Sequence, residues 1–206
     1  MSEQFHSLKI HKTVKETSDA TSIYLEIPAD LKNDYAYIPG QYLTFEAEIN
    51  GENVRRAYSL CTSPFTDEVP AITVKKVENG RMSNYLNNEV AAGQEIKVMV
   101  PNGKFILNTD SNAQNHYVLF GGGSGITPLM SIIKSVLEKE PGSRLTLIYC
   151  NRDENSVIFK DELNELQSSN PTRLNIHHSY DKAPEGWDGL TGYLNENTVA
   201  ELLSTK

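Results

Sequence analysis

Apolar and polar residues alternate along short segments in the first half of the chain, with turn residues between the segments. This period of two is typical of β-strands, whose successive side chains point to opposite faces. Asn50-Gly51 predicts a hairpin turn, because both residues tolerate positive φ. One helix interrupts the pattern, beginning near Ser83. We therefore predict a six-stranded antiparallel β-barrel over residues 1–110. The predicted strands are a leading strand with Leu8, Ile10 and Val14, and residues 22–27, 41–49, 57–60, 71–77 and 95–100.

Beyond residue 110 the spacing of apolar residues changes, and predicted strands alternate with predicted helices. A continuous apolar run over 117–120 precedes a glycine-rich turn and a helix that Pro141-Gly142 ends. This alternation predicts parallel pairing with right-handed crossovers, so residues 111–206 should form a doubly wound α/β domain. The polar segment 108–115 is the predicted linker. The further predicted elements are strands over 145–149 and 174–177 and helices over 159–167 and 195–203.

Charge and cysteine content narrow the classes of protein. The net charge of −8 is shared by both halves, since residues 1–110 hold 11 basic and 15 acidic side chains. Without a basic lobe we expect neither a nucleic-acid nor an anionic-membrane partner. The apolar stretch 118–133 is broken by glycines, Ser124 and Pro128, so it predicts no membrane span, and no signal peptide is visible. Cys61 and Cys150 favour two free thiols in a cytoplasmic protein, with a disulfide between them as the alternative.

A glycine-rich motif lies between a predicted strand and a predicted helix, and it reads Gly121-Gly122-Gly123-Ser124-Gly125-Ile126-Thr127-Pro128. Glycines there let the backbone approach a pyrophosphate, and the helix N-terminus favours a bound anion. Thr127 is the predicted N-cap and Pro128 the predicted first helical residue. The alternative is a turn that only packs strand against helix. Because the motif stands between a strand and a helix, we prefer phosphate binding.

Two shorter motifs precede this loop. Arg56-Ala57-Tyr58-Ser59 lies on a predicted strand, and Gly80-Arg81-Met82-Ser83 opens the predicted helix. Each has a plain structural explanation when taken alone: an exposed arginine, a core aromatic ring and a helix cap.

In this order the three motifs resemble those of the ferredoxin–NADP reductase family, over nearly the whole chain from Phe5 to Leu203. The segment Tyr149-Cys150-Asn151-Arg152, with residues 157–163 after it, is most similar to the reductases of multicomponent oxygenases, including the phenylacetyl-CoA epoxidase type. The resemblance implies an FAD-binding barrel followed by an NAD(P)-binding domain. It also implies hydride transfer from NAD(P)H to the flavin and release of single electrons to an iron–sulfur centre.

The resemblance also implies residue roles. Tyr58 would stack on the isoalloxazine ring, Ser59 would hydrogen-bond the flavin N5, and Thr127 would face the flavin where the nicotinamide arrives; these three are the implied catalytic residues. Arg56 would pair with the flavin pyrophosphate, and Arg152 would meet the adenosine ribose or its 2′-phosphate. The implied cofactor-binding set is Arg56, Tyr58, Ser59, Val74, Lys75, Arg81, Met82, Ser83, Gly121, Gly122, Gly123, Ser124, Gly125, Thr127, Pro128, Asn151 and Arg152.

The expected cofactors are FAD, with FMN as the alternative, and NADP, with NAD as the alternative. The family's Cys-Gly-Pro strand and the cysteine spacing of a plant-type cluster do not occur in this sequence. We therefore expect the chain to be part of a longer protein, with any iron–sulfur cluster in another segment or in a separate ferredoxin-like partner. The competing hypotheses are a stand-alone ferredoxin or flavodoxin reductase, a flavin-binding relay subunit without dehydrogenase activity, and a nucleotide-binding module unrelated to flavin.

Overall fold

The computed structural model describes residues 4–192, 194, 196, 199 and 200. The predicted helix over 195–203 lies mostly outside them. The first half forms a six-stranded antiparallel sheet, as predicted, and its strand order is β4-β3-β6-β1-β2-β5. A bridge between Leu60, just after β4, and Ile72 in β5 joins the two ends of the sheet into a barrel. The strands are β1 Phe5–Thr17, β2 Ala20–Glu26, β3 Tyr42–Ile49, β4 Glu52–Ser59, β5 Ala71–Lys75 and β6 Glu95–Asn102.

The alternating pattern places one side of each strand in the barrel core. Leu43 and Phe45 of β3 and Val74 of β5 are buried there. Asn50 and Gly51 turn the chain between β3 and β4 with φ of 55° and 76°, which confirms the predicted hairpin. Helix α1, Arg81–Asn88, lies between β5 and β6 in the chain. It packs against the barrel and buries Met82 and Leu86. Its first residue is two positions before the predicted start.

The second half is a parallel sheet with the order β10-β9-β8-β7, which confirms the predicted α/β pattern. Its strands lie in chain order, so each crossover adds the next strand at the same edge. Both crossover helices pack on the sheet face that carries Leu145, Leu147 and Tyr149. The elements are β7 His116–Gly122, α2 Ile126–Lys139, β8 Arg144–Asn151, α3 Lys160–Ser169, β9 Leu174–Tyr180 and β10 Leu190–Thr191.

The predicted cap of α2 is wrong. Residues Gly123–Gly125 form a 3-10 turn that runs straight into the helix, so Gly125 is the N-cap and Thr127 is already helical. The Thr127 hydroxyl instead donates to the Ser124 carbonyl at 3.0 Å. Pro128 is the third helical residue, which the first turn tolerates because its missing N–H would have no helical acceptor there.

The two halves share a buried core. Ala20, Cys61 and Ala71 of the barrel belong to the same cluster as Ile126 and Met130 of α2. Residues 108–115 carry no helix or strand, which suits a linker; the division into 1–110 and 111–206 stays a prediction. Since α2 lies against the barrel, its N-terminus and the ends of β4 and β5 face a common cleft.

Candidate functional site

A cleft of about 680 Å³ lies between the barrel and the N-terminus of α2. It gathers the ends of β4 and β5, the turn before α1 and the turn before α2. Most of the residues predicted from sequence meet here, although the three motifs are far apart in the chain. The lining residues are Arg56, Ala57, Tyr58, Ser59, Thr73, Lys75, Val77, Asn79, Gly80, Arg81, Met82, Ser83, Ser124, Gly125, Thr127 and Pro128.

Basic side chains line the cleft, and two of them have acidic partners outside the lining, since Lys75 lies 3.8 Å from Asp19 and Arg81 pairs with Glu52. The lining includes Arg56, Lys75 and Arg81 but no Asp or Glu, whereas the whole chain has a net charge of −8. A cationic cleft in an acidic protein favours an anionic ligand such as a pyrophosphate. Arg56 is exposed and, among the described residues, makes no ion pair; its Nη1 donates to the Arg55 carbonyl at 2.7 Å. Its charge is therefore available to a phosphate.

Tyr58 and Arg56 lie on the same face of β4, because they are two residues apart. The ring of Tyr58 is half-buried and meets Phe45 edge-on, with ring centroids 6.0 Å apart. Burial raises the pKa of the Tyr58 phenol to about 12, so the phenol stays neutral at physiological pH. Ser59 follows on the opposite face and also lines the cleft. A fixed aromatic ring beside a hydroxyl and a cation suits a flat heterocycle carrying phosphates.

Helix α1 offers backbone donors to the cleft. The N–H groups of Arg81, Met82 and Ser83 have no acceptor among the described residues, as expected for a first helical turn. The side chains are otherwise engaged. Met82 is buried in the core. The guanidinium of Arg81 pairs with Glu52 at 2.5 Å. The Ser83 hydroxyl accepts from the Val77 N–H at 3.1 Å and donates to the Gly80 carbonyl at 3.3 Å. The backbone N–H groups of α1 are therefore open to a phosphate. The resemblance implies this role for the N–H groups of Met82 and Ser83 and for the Ser83 hydroxyl as well, and it stays a prediction.

The glycine loop approaches this cleft from the other side. Gly123 has φ of 48°, in the left-handed region that favours glycine. A Cβ on Gly122 or Gly125 would meet nothing within 4 Å, so the backbone there is open to a ligand. Gly121 is buried, and a Cβ there would lie 3.1 Å from Leu129 Cδ1. The loop thus has a packed side and an open side, which is the arrangement that a phosphate-binding turn needs.

Besides Gly121, Gly122 and Gly123, three predicted residues lie outside the cleft lining. Val74 is fully buried between its neighbours on β5. Asn151 ends β8, and both polar atoms of its buried amide lack partners among the described residues. Arg152 follows on the surface and pairs with Asp153 at 2.9 Å. Since Asn151 and Arg152 lie at the carboxyl end of the parallel strand β8, they suit the adenosine half of a dinucleotide.

Some lining residues were not predicted from sequence. Thr73, Val77 and Asn79 stand on β5 or the turn after it. In the structure the Val77 side chain is 62% exposed and Asn79 has φ of 57°. Of these features, only the Asn79-Gly80 dipeptide is visible in the sequence, as a turn signal.

No cysteine or histidine of the described residues lines the cleft. Burial raises the pKa of the Cys61 thiol to about 12, so it is an inert core residue. Across the described ranges, no group of three or more His, Cys, Asp or Glu side chains could hold a metal. None of the described helices has the length and apolar character needed to cross a membrane.

Comparison with protein families agrees with both halves of the site. Residues 2–106 match the oxidoreductase FAD-binding domain, and residues 119–206 match the oxidoreductase NAD-binding domain. The chain belongs to the oxidoreductases built from these two domains. FAD and NAD(P) are therefore its cofactors, and the cationic cleft with free α1 N–H groups fits the pyrophosphate of FAD.

Two curated relatives are components of oxygenase systems. The ferredoxin reductase component of 3-ketosteroid-9-alpha-monooxygenase from Rhodococcus rhodochrous is 44% identical over 83% of this chain and 48% of its own length. One of the subunits of 1,2-phenylacetyl-CoA epoxidase from Escherichia coli K12 is 40% identical over 84% of this chain and 48% of its own length. The chain thus spans about half the length of these relatives.

Solved structures share the fold. A ferredoxin NADP+ reductase from Neisseria gonorrhoeae with bound FAD and NADP has a TM-score of 0.79 and 20% identity, covering 100% of this chain and 81% of that one. At this identity the likeness speaks for the fold alone.

Proposed function

We propose that the chain is the flavin- and nucleotide-binding part of a reductase that passes electrons from NAD(P)H through FAD to a one-electron acceptor in an oxygenase system. One observation carries the proposal: the end of β4, with Arg56, Tyr58 and Ser59, and the turn before α2, with Ser124 and Thr127, line the same cleft. A flavin site and a nucleotide site that open into one cleft suit direct transfer between two ring systems.

FAD, when bound, supplies the acceptor for a hydride and can release electrons singly. The residues of the protein bind FAD and the nucleotide and orient their ring systems. Arg56 and the free N–H groups of α1 bind the pyrophosphate, while Tyr58 and Ser59 fix the ring system against β4. The 3-10 turn and Thr127 limit how closely the nicotinamide end can approach. Hydride transfer moves no proton through a side chain, so the cleft needs no general base.

The acceptor is proposed from the relatives. Both curated relatives are parts of oxygenase systems, and one is named a ferredoxin reductase component. A ferredoxin-like iron–sulfur domain or protein is accordingly the proposed partner for this chain. The phenylacetyl-CoA epoxidase type is the system that the sequence around Asn151 and Arg152 suggests.

Cofactor content tests the proposal directly. The purified chain, reconstituted with flavin if needed, should be yellow and release FAD on heating, as identified by chromatography. NADPH or NADH should then bleach the flavin absorbance without oxygen, and the reduced protein should reduce a one-electron acceptor such as ferricyanide. Recovery of FMN alone, or of no flavin after reconstitution, would contradict the flavin assignment. Bound FAD that neither nucleotide reduces would instead favour a relay subunit.

A further inference from the structure

One face of α2 is docked on the segment that continues directly from the flavin strand. We call Ser131, Lys134 and Ser135 the docking face. Ser131 Oγ donates to the Thr62 carbonyl at 2.6 Å. Ser63 and Ser135 share a hydrogen bond of 2.9 Å between their hydroxyls. All three contacts of this face, including the ion pair of Lys134 described below, reach residues 62–67 of the barrel half.

The serine contacts form an ordered chain. The single proton of the Ser135 hydroxyl goes to the Ser131 carbonyl at 2.7 Å, so Ser63 must donate to Ser135. Ser63, Ser131 and Ser135 are fully buried. Buried hydroxyls with defined partners hold a fixed geometry, because breaking one contact leaves a group without water or partner.

Lys134 adds a charged contact beside the serines. Its ammonium lies 2.8 Å from Asp67 Oδ1 and 2.8 Å from Glu162 Oε1. Only 13% of its side chain is exposed, so solvent screens this bridge less than a surface pair. Asp67 also accepts the Ser63 N–H at 2.8 Å, so the charge and the serine contacts hold the same turn.

The barrel side of this contact is itself rigid. The Thr62 hydroxyl accepts hydrogen bonds from the Tyr37 phenol at 2.9 Å and from the Ala71 N–H at 3.0 Å. Thr62 is therefore fixed to the start of β5 and to the loop after β2. Movement of α2 against Thr62 would have to break contacts on both sides.

The docking contact lies close to both halves of the proposed site. Ser131 is four residues after Thr127, about 6 Å along the helix. Thr62 is three residues after Ser59, about 10 Å along an extended chain. The Ser131–Thr62 hydrogen bond therefore connects Thr127 to Ser59 by a short path. Any change of the contact shifts the nucleotide turn relative to the flavin strand.

We propose that the docking face consists of positioning residues, which set the gap between nucleotide and flavin for hydride transfer. This rests on the proposed function. The residues touch neither the cleft nor, in the proposal, either cofactor. Their effect should therefore fall on the rate of flavin reduction and not on the affinity for FAD or nucleotide. Since a misplacement of about 1 Å can cost on the order of a hundredfold in rate, even a small shift is measurable.

The test compares Lys134→Met and Ser131→Ala with the unchanged chain. At saturating NADPH or NADH, stopped-flow bleaching of bound FAD should be on the order of tenfold slower or more. The dissociation constants of FAD and of the oxidised nucleotide should stay within about twofold. Lys134→Arg, which keeps the charge, should recover most of the rate. Lys160→Met is the matched control, because Lys160 pairs with Glu154 inside the nucleotide domain at 2.6 Å.

A second readout does not depend on activity. In calorimetry of the flavin-free chain, Lys134→Met and Ser131→Ala should melt at a lower temperature than Lys160→Met, because only the first two variants break contacts between the halves. A reduction rate within about twofold of the unchanged chain in both variants would overturn the proposal, as would melting temperatures in both variants no lower than that of Lys160→Met. Failure of the unchanged chain to bind FAD would refute the proposed function instead, while the calorimetry would still test the docking.

Discussion

The phenol of Tyr149 donates a hydrogen bond of 2.9 Å to the carbonyl of Gly123. The first residue is buried on β8 and the second stands at the bend of the glycine loop, with positive φ. Burial raises the pKa of this phenol, so its proton stays in place at any physiological pH. The neighbouring parallel strand thus fixes the curvature of the loop that faces the nucleotide.

Removing this hydroxyl should loosen the loop. Tyr149→Phe should weaken binding of the oxidised nucleotide severalfold and destabilise the protein by about 1 kcal/mol, the usual value of one hydrogen bond. Fluorescence titration and urea unfolding measure the two effects. Tyr180→Phe is the matched control on β9, because the Tyr180 ring packs against Trp187 while its phenol has no hydrogen-bond partner among the described residues. Equal nucleotide affinities for the two variants would remove Tyr149 from the binding argument.

Two glycines of the loop should respond differently to alanine. Gly123→Ala places a Cβ at φ of 48°, which should lower the free energy of unfolding by about 1–2 kcal/mol. Gly122 has φ of −130° and open space around it, so Gly122→Ala should leave the free energy of unfolding unchanged. The added methyl group would nevertheless occupy the open side of the loop and weaken nucleotide binding. Denaturant unfolding combined with titration separates the two outcomes, and a stable, tight-binding Gly122→Ala would place the nucleotide elsewhere.

Two neighbouring arginines on β4 offer a matched comparison for the flavin. Arg56→Ala should weaken FAD binding by about 1.5–3 kcal/mol, the range for a hydrogen bond to a charged group. Arg55 points to the other face, where it pairs with Glu46 at 2.6 Å, so Arg55→Ala should leave FAD affinity nearly unchanged. Ser59→Ala should cost only about 1 kcal/mol in affinity but slow flavin reduction. Titration of the apoproteins with FAD checks the order, and equal losses for the two arginines would refute it.

The sequence carried enough to predict the strands, the crossover helices and the three motifs that meet in the cleft. These elements and motifs can be predicted because hydrophobic periodicity, turn residues and glycine spacing are each visible within a few positions of the sequence. The cap of α2 was missed, since a 3-10 turn before a helix leaves no distinct signal when threonine and proline follow. The Ser63–Ser135 contact joins residues 72 positions apart, so no local pattern could reveal it. The contacts between the two halves depend on surfaces that exist only once both halves are folded, so they leave no local pattern in the sequence.

The preference between NADPH and NADH depends on a charge pair at the end of β8. Arg152 supplies a cation for a 2′-phosphate, but Asp153 holds it at 2.9 Å, and this contact lowers the pKa of the Asp153 carboxyl. We expect a moderate preference for NADPH. Arg152→Ala should reduce that preference, whereas Asp153→Asn should increase it by freeing the guanidinium. Steady-state kcat/KM for both nucleotides gives the ratios, and an unchanged ratio in both variants would exclude the pair from nucleotide selection.

Glu16 on β1 gives a prediction about stability and pH. Burial raises the pKa of this carboxyl above its ordinary 4.5, the Ser22 hydroxyl opposes the shift by donating to Oε1, and the nearby Glu162 adds to it. A raised folded pKa means that the folded protein binds the proton more tightly than the unfolded chain does. The resulting stabilisation is complete below the unfolded pKa and is lost as the pH rises through the higher folded value.

Replacing the carboxyl by an amide should remove this loss. Glu16→Gln keeps the shape and an acceptor for Ser22 but never carries a charge, so it should be more stable than the unchanged protein at pH 7.5. The advantage should shrink towards pH 4.5, because a folded pKa above 4.5 leaves more than half of the glutamate protonated there. Urea unfolding at pH 4.5, 6 and 7.5 measures the trend. Glu26→Gln is the control, since Glu26 is half-exposed and pairs with Lys9 at 3.3 Å, so a change within about 0.5 kcal/mol is expected. If Glu16→Gln is instead the less stable protein at pH 7.5, contacts to the ionised carboxylate outweigh its burial, and the raised pKa is wrong.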